Sequence, residues 1–253
     1  TVIASKAGYL SALKTGVVVP PSGSVNIGNV MLLGGDANND GVINIVDLVI
    51  VGAMYGSTPP ADGRADINGD GTCNLVDLVL VGANYGKTGP TDWVMLAAAG
   101  AEAQSVTSKL SFSPSFRILP VGSTTTVEVV AGSVADLYAG ELEISYDPAA
   151  LSVADMDANK EGIQIGAGSV FAGNGAFVAV NDVDAQAGKI RFAATLLDPA
   201  PAIQGNVVLA RITFKALKAG PSMLRFSNAQ LLTPQASALN MKVNDGSLWL
   251  GPI

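Results

Sequence analysis

Two stretches of 21 residues, offset by 30 positions, decide how the middle of this chain folds. The first is Asp36-Ala-Asn-Asn-Asp-Gly-Val-Ile-Asn-Ile-Val-Asp-Leu-Val-Ile-Val-Gly-Ala-Met-Tyr-Gly56, and the second is Asp66-Ile-Asn-Gly-Asp-Gly-Thr-Cys-Asn-Leu-Val-Asp-Leu-Val-Leu-Val-Gly-Ala-Asn-Tyr-Gly86. They align without a gap, and 14 of the 21 positions are identical. Repetition at this fidelity indicates a duplicated supersecondary unit.

Each copy opens with oxygen-bearing residues at the spacing of a calcium-binding loop. Gly41 and Gly71 allow the sharp turn that such a loop makes at position 6. The ligands before and after this turn are oxygens, and Ca²⁺ takes six to eight of them. The spacing predicts two Ca²⁺ ions, whose binding offsets the repulsion among six clustered Asp residues and is coupled to folding. The alternative is an acidic turn without metal, but two loops in register, each before an apolar helix, argue against it. The predicted ligands, at positions 1, 3, 5, 7, 9 and 12, are Asp36, Asn38, Asp40, Val42 (through its carbonyl), Asn44 and Asp47, then Asp66, Asn68, Asp70, Thr72, Asn74 and Asp77.

The segment after each loop predicts a helix that is apolar on every side. Val46–Ala53 in the first copy and Leu75–Ala83 in the second have no polar stripe apart from one Asp each. A helix of this kind must be covered all round. Pairing the two helices buries one face, and the other requires either a partner protein or cover from residues 1–35.

The flanking sequence predicts β-structure, so the fold class is mainly β. We divide the chain into residues 1–35, an incomplete β-sandwich segment; 36–90, the calcium module; 91–108, a connection; and 109–253, an antiparallel sandwich. In the first segment, Val2–Ala4, Gly16–Val19 and Val25–Leu33 are predicted strands that need further strands from elsewhere. In the connection, Ala97–Ala103 favours partial helix. In the last, alternation such as Glu141-Leu-Glu-Ile-Ser145 has the period of a half-buried strand.

Composition excludes several functions. The 253 residues include no His and one Cys, which removes the commonest catalytic base and any multi-Cys metal site. A net charge of −7 argues against nucleic acid and anionic membranes as partners. No apolar stretch reaches the ~18 residues of a membrane span. We predict a protein that is not an enzyme.

The duplicated D-x-N-x-D-G-x-x-N-x-x-D-L loop and helix resembles a dockerin, the calcium-dependent plug of bacterial multi-protein assemblies. The resemblance covers residues 36–86 and implies a cohesin-type domain as partner. It also implies which positions meet that partner, and these are small or apolar here, which suggests a hydrophobic interface. They are Ile45, Val46, Gly52 and Ala53, then Leu75, Val76, Gly82 and Ala83.

Residues 109–253 resemble a cohesin, the receptor for dockerins, through Val134–Pro148, Ala185–Ile190, Ile212–Ala216 and the closing Gly246-Ser-Leu-Trp-Leu250. The resemblance implies a nine-stranded jelly roll and a secreted or cell-surface protein of a bacterium or archaeon. With a dockerin-like and a cohesin-like domain on one chain, we consider three hypotheses. Copies of the chain polymerise head-to-tail into an extracellular filament or surface layer, the chain is an adaptor that recruits other dockerin-bearing proteins, or it is a fragment of a larger extracellular enzyme.

Overall fold

The computed structural model describes residues 1–95, 107–173 and 175–251. The chain divides into two compact units, Thr1–Ala103 and Gln104–Ile253. Among the described residues, the fold is mainly β, with two α-helices in the first unit and a two-sheet sandwich in the second. This confirms the predicted fold class. The predicted partial helix at Ala97–Ala103 lies outside the described residues.

The first unit consists of a small sheet and the two loop–helix repeats. Strands β1 and β2 form an antiparallel hairpin, and β2 also pairs with β3 and, in parallel, with β4. Strand β3 ends at the first residue of the first loop, so the sheet fixes the point where that loop begins. The elements are β1 (Val2–Lys6), β2 (Gly8–Lys14), β3 (Gly34–Asp36), α1 (Ile45–Met54), a 3₁₀ turn (Gly63–Ala65), α2 (Leu75–Ala83) and β4 (Thr91–Asp92).

Two of the strands predicted near the N-terminus are absent. The run Gly16–Val19 follows β2 without joining a sheet, and Val18 and Val19 are exposed. The run Val25–Leu33 makes an isolated bridge from Val30 to Met95 in place of a strand. Pro20 and Pro21 lie between the two runs and have no backbone N–H to donate to a neighbouring strand. The further partners of β2 come from later in this chain, from β3 and β4.

The second unit is a sandwich of two six-stranded sheets. The resemblance implied nine strands; the described part has twelve, of which β6, β9, β10 and β15 have four residues or fewer. The strands are β5 (Ser108–Ser113), β6 (Phe116–Leu119), β7 (Thr124–Leu137), β8 (Ala139–Ser145), β9 (Leu151–Val153), β10 (Gly166–Ala167), β11 (Ala176–Asp184), β12 (Lys189–Leu196), β13 (Ile203–Ala216), β14 (Gly220–Leu232), β15 (Met241–Asn244) and β16 (Gly246–Leu250).

Alternating side chains of the two sheets form the core between them. One sheet has the order β10-β13-β7-β5-β15, with β9 also on β13, and the other has the order β11-β12-β8-β14-β16-β6. Phe112 of the first sheet stacks on Phe226 of the second, with ring centroids 4.4 Å apart. The outward face of the second sheet is left free to carry polar and apolar surface side chains.

Candidate functional site

The first loop is turned by its own carboxylate and amide side chains. The two carboxylate oxygens of Asp36 accept hydrogen bonds from the backbone N–H groups of Asp40 and Gly41, each at 3.0 Å. Asp40 in turn accepts from the N–H of Val42 at 2.9 Å. The second loop repeats this pattern with Asp66, Asp70, Gly71 and Thr72. Both loops therefore make the same tight turn, which is held by hydrogen bonds to the side-chain oxygens of a few residues.

The last predicted ligand of each loop is a buried carboxylate at the start of a helix. Asp47 and Asp77 are fully buried, at the third residue of α1 and α2. Asp47 accepts from the N–H groups of Asn38 and Asn44, at 3.2 and 2.8 Å. Asp77 accepts from Ile67, Asn68 and Asn74. Each Asp thus ties the beginning of its loop to its helix, while Asn44 and Asn74 complete reciprocal helix caps.

The charges of these loops suit a hard cation. Burial raises the pKa of Asp36, and the neighbouring carboxylates of Asp47 and Asp40 raise it further, against hydrogen bonds that lower it. Burial likewise raises the pKa of Asp77, with Asp66 contributing. In the described part of the chain, no three Asp, Glu, Cys or His side chains cluster as a metal site by themselves. Each predicted set contains three Asp, so their assignment to a single ion stays a prediction. Amide and carbonyl oxygens, which calcium also accepts, supply the other half of each set.

The residue at position 8 of each loop connects the two repeats. Ile43 donates to the carbonyl of Lys87 and accepts from Gly86, just after α2. Cys73 donates to the carbonyl of Ser57 and accepts from Gly56, just after α1. Each loop is therefore fastened to the exit of the other repeat's helix. Burial and the nearby Asp carboxylates raise the pKa of Cys73 to about 12, which keeps this thiol protonated.

One contact that sequence reasoning missed links the first loop to the N-terminal hairpin. The backbone N–H of Gly8 donates to Oδ1 of Asn39 at 2.8 Å. Asn39 has φ 59°, in the left-handed region, and the equivalent residue of the second loop is Gly69, with φ 83°. The available signal was the difference between Asn39 and Gly69 at this aligned position, because Asn tolerates such a φ and can also accept a hydrogen bond.

The two helices differ in what they expose, although their sequences are nearly the same. Ile45 and Val49 of α1 are 52% and 58% exposed, and Val46 is about half exposed. The equivalent residues of α2, Leu75 and Val79, are fully buried. Among the predicted partner-contacting residues, Ile45, Val46 and Ala53 are exposed, Gly52, Val76 and Ala83 are intermediate, and Leu75 and Gly82 are buried.

Strand β3 packs directly on α2. A Cβ on Gly35 would lie 2.9 Å from the carbonyl oxygen of Leu80 and from Cα of Val81, so only glycine fits there. The amide of Asn84 also donates to the carbonyl of Gly34 at 2.8 Å. The N-terminal segment therefore covers the second helix, which was one of the two alternatives for the apolar helices.

One half of the outward face of the sandwich's second sheet carries paired charges. Arg191 of β12 binds Asp182 of β11 at 2.8 Å, and Lys189 binds Glu143 of β8 at 3.1 Å. The carboxylate of Glu143 also accepts from Ser227 of β14. The partners of Glu143 on both sides are surface side chains, so this half of the face is charged and solvated.

Each of the two units matches a known protein family. The cohesin domain family matches residues 118–248, and the dockerin type I domain family matches residues 34–84. The chain belongs to the cohesin family and also carries a type I dockerin domain. Both are non-catalytic interaction domains, type I dockerins typically bind calcium, and both are typically extracellular. None of the helices in the described ranges has the length and apolar character needed to cross a membrane.

Solved structures similar to this chain include three from different organisms. A type II cohesin domain from the cellulosome of Acetivibrio cellulolyticus is 17% identical over 56% of this chain and 94% of its own, with a TM-score of 0.47. A type I cohesin–dockerin complex from Clostridium thermocellum is 17% identical over 57% of this chain and 99% of its own, with a TM-score of 0.46. A non-cellulosomal cohesin from the archaeon Archaeoglobus fulgidus is 16% identical over 58% of this chain and 91% of its own, with a TM-score of 0.43. A search of curated proteins finds no match.

Proposed function

We propose that this chain is a non-catalytic, calcium-stabilised structural subunit that assembles head-to-tail. The dockerin domain of one copy binds the cohesin domain of the next, and the product is an extracellular filament or surface layer of a bacterium or archaeon. The observation that carries this proposal is the exposed apolar face of α1, next to an α2 that the chain itself covers. A soluble protein rarely leaves such a face without a partner.

Calcium has a structural role in this proposal. Two Ca²⁺ ions occupy the two loops, each held by the six predicted ligands from Asp36 to Asp47 and from Asp66 to Asp77. The ions neutralise carboxylates whose pKa values burial and mutual repulsion raise. Because α1 begins within the first loop, the ion there also sets the position of the exposed helix. We assign the dockerin to residues 36–90 and the cohesin to 109–253.

The test is negative-stain electron microscopy and sedimentation of the purified chain, in millimolar Ca²⁺ and after EDTA. We expect filaments or higher oligomers with calcium only, and their loss in the double variant Asp47→Ala, Asp77→Ala. Asp62→Ala is the matched control, because Asp62 is an Asp outside both loops that pairs with Arg64 on the surface. Monomers at high protein concentration in calcium would exclude self-assembly.

A second candidate is an adaptor that anchors through its dockerin and recruits other dockerin-bearing proteins. The ion-paired half of the sandwich face, with Arg191, Lys189 and Glu143, favours it. Such a surface suits a partner richer in charged groups than α1. Co-sedimentation with dockerin proteins from the same organism, under conditions where the chain alone is monomeric, would support the adaptor.

A further inference from the structure

Asn68 and Gly69 form a chemically reactive pair in the second loop. In an Asn-Gly sequence, the backbone nitrogen of the glycine can attack the side-chain carbonyl carbon of the asparagine, because glycine has no Cβ to hinder the approach. Asn38 occupies the equivalent position of the first loop, but the residue after it is Asn39, whose side chain obstructs the same attack. The two repeats therefore differ in chemical stability at a position where their predicted calcium ligand is the same.

Three hydrogen bonds hold the reacting groups of the second loop in place. The N–H of Gly69, which must lose its proton before the nitrogen attacks, donates to Oδ1 of Asp66 at 2.9 Å. The side-chain carbonyl of Asn68 accepts from the N–H of Asp70 at 2.8 Å, and its amide group donates to Oδ2 of Asp70, also at 2.8 Å. The attacking nitrogen, the carbonyl under attack and the leaving amide are thus each bound to another group of the loop.

The side chains that make these bonds are also predicted calcium ligands. Asp66, Asn68 and Asp70 have positions 1, 3 and 5, and the two carboxylates repel each other when no cation lies between them. Asn68 is only half-buried and Gly69 is exposed, so water reaches both residues when the loop opens. We infer that Asn68 is a self-modification site, at which loss of calcium from the second loop starts deamidation. This goes beyond the proposed assembly, and only its calcium dependence rests on the ligands proposed for that loop.

The reaction needs no reagent other than water. The nitrogen of Gly69 loses its proton and forms a bond to Cγ of Asn68, the bond from Cγ to Nδ2 breaks, and the amide group takes up a proton and leaves as ammonia. Water then opens the resulting succinimide ring at one of its two carbonyl carbons. Opening at Cγ gives aspartate. Opening at the backbone carbonyl carbon gives isoaspartate, in which the main chain runs through the side chain of residue 68.

Isoaspartate disables the second loop and leaves the first intact. It adds one methylene to the main chain between residues 68 and 69. The carboxylate of Asp66 reaches across this point to the N–H groups of Asp70 and Gly71, at 3.0 and 2.8 Å, and a longer main chain moves those donors away. A chain kept without calcium for long enough therefore recovers one calcium site instead of two when calcium returns.

Ageing the purified full chain at neutral pH, in millimolar Ca²⁺ and in EDTA, tests this inference. Peptide mass spectrometry measures deamidation at each Asn, and isoaspartate methyltransferase counts the isoaspartate. We expect deamidation of Asn68 to be at least about tenfold faster in EDTA, the factor that one hydrogen bond to a carboxylate accounts for. Asn38 should keep its amide in both solutions. Isothermal titration of the aged sample should show calcium binding at the second loop reduced in proportion to the isoaspartate formed.

Gly69→Asn is the matched variant, because it gives the second loop the sequence of the first. Gly69 has φ 83°, a Cβ placed there meets no atom within 4 Å, and Asn39 already adopts φ 59° at the aligned position. The variant should bind both ions, and its Asn68 should resist deamidation in EDTA. The other Asn-Gly pair, Asn174-Gly175, lies in the second unit and outside both loops, so its rate should be equal in the two solutions.

Two results would overturn the inference. One is equally fast deamidation of Asn68 with and without calcium. The other is an Asn68 that keeps its amide in EDTA for the time in which a synthetic peptide of residues 64–72 loses it. Calcium-suppressed deamidation in a chain that stays monomeric would support the inference and reject only the proposed self-assembly.

Discussion

Gly8 and Asn39 are joined by a hydrogen bond of 2.8 Å that connects the N-terminal hairpin to the first calcium-type loop. The second loop has no equivalent side chain, because Gly69 occupies the aligned position. The two loops are therefore alike in their own turns and different in what anchors them. This bond, together with β3 ending at Asp36, makes residues 1–35 part of the environment of the first loop.

Replacing Asn39 tests that connection. Asn39→Gly keeps a residue that tolerates the left-handed φ but leaves the N–H of Gly8 without its acceptor. We expect a loss of about 1–2 kcal/mol in the free energy of unfolding of the first unit. Chemical denaturation in saturating calcium measures this loss. Asn39→Asp, which keeps the oxygen acceptor, should retain most of the stability; an equal loss in both variants would assign the effect to the loop backbone.

Calcium stoichiometry tests the ligand assignment. Isothermal titration should give two ions for the unmodified chain. Asp70→Ala removes an exposed carboxylate of the second loop, so folding is disturbed less than by a change at the buried Asp77. We expect one ion to remain and the affinity of the other to fall on the order of a hundredfold. Asp62→Ala should keep both ions. Two full-affinity ions in Asp70→Ala would show that this residue is not a ligand.

Acid should weaken the outward face of the sandwich through Glu143. Hydrogen bonds from Lys189 and Ser227 hold the pKa of this carboxyl below its ordinary value of 4.5. Because the folded pKa is the lower one, ionised Glu143 stabilises the fold above pH 4.5, and the contribution disappears as the pH falls through the folded pKa. Exposure limits the effect to about 0.2–1 kcal/mol. The difference between the urea midpoints at neutral and acid pH should be smaller for Glu143→Gln than for the unmodified chain; an identical pH dependence would contradict this.

Two phenylalanines four residues apart provide a matched test of the sandwich core. Phe112→Ala removes a buried ring that stacks on Phe226, and we expect a loss of about 3–5 kcal/mol. Phe116→Ala removes an exposed ring and should change stability by less than about 0.5 kcal/mol. Calorimetry of the full chain, at low concentration and in EDTA, measures both losses. EDTA removes calcium, so a calcium-stabilised unfolding transition of the first unit does not overlap the unfolding of the sandwich. Similar losses would mean that Phe116 is part of the core.

Local sequence patterns predict much of this fold. The 14 identities between the repeats predict the loops and helices, and period-two alternation such as that around Glu141–Ser145 predicts the sandwich. These features depend on residues close together in the chain. The apolar run Gly16–Val19 shows the limit, because a run of Val residues forms a strand only if another strand is available beside it.

The difference in exposure between α1 and α2 could not be predicted from the sequence for the same reason, because it depends on residues that are distant in the chain. Ile45 and Leu75 have equivalent positions and similar side chains, yet one is exposed and the other is buried. Part of the cover over α2 comes from Gly34 and Gly35, which lie some forty residues before Leu75 and let β3 approach Leu80 and Val81 closely. Likewise, Ile118, Pro221 and Trp249 are neighbours only because β6, β14 and β16, distant in sequence, lie side by side in one sheet.

The cover over α2 has a consequence for the regularity of any polymer. Two near-identical repeats would, if both helices were exposed, let a subunit attach through either helix. Successive subunits would then turn at random, and a fibre would have no constant pitch. With α1 alone available, every junction repeats the same rotation and translation, which is the condition for helical symmetry and for sharp layer lines in its diffraction pattern.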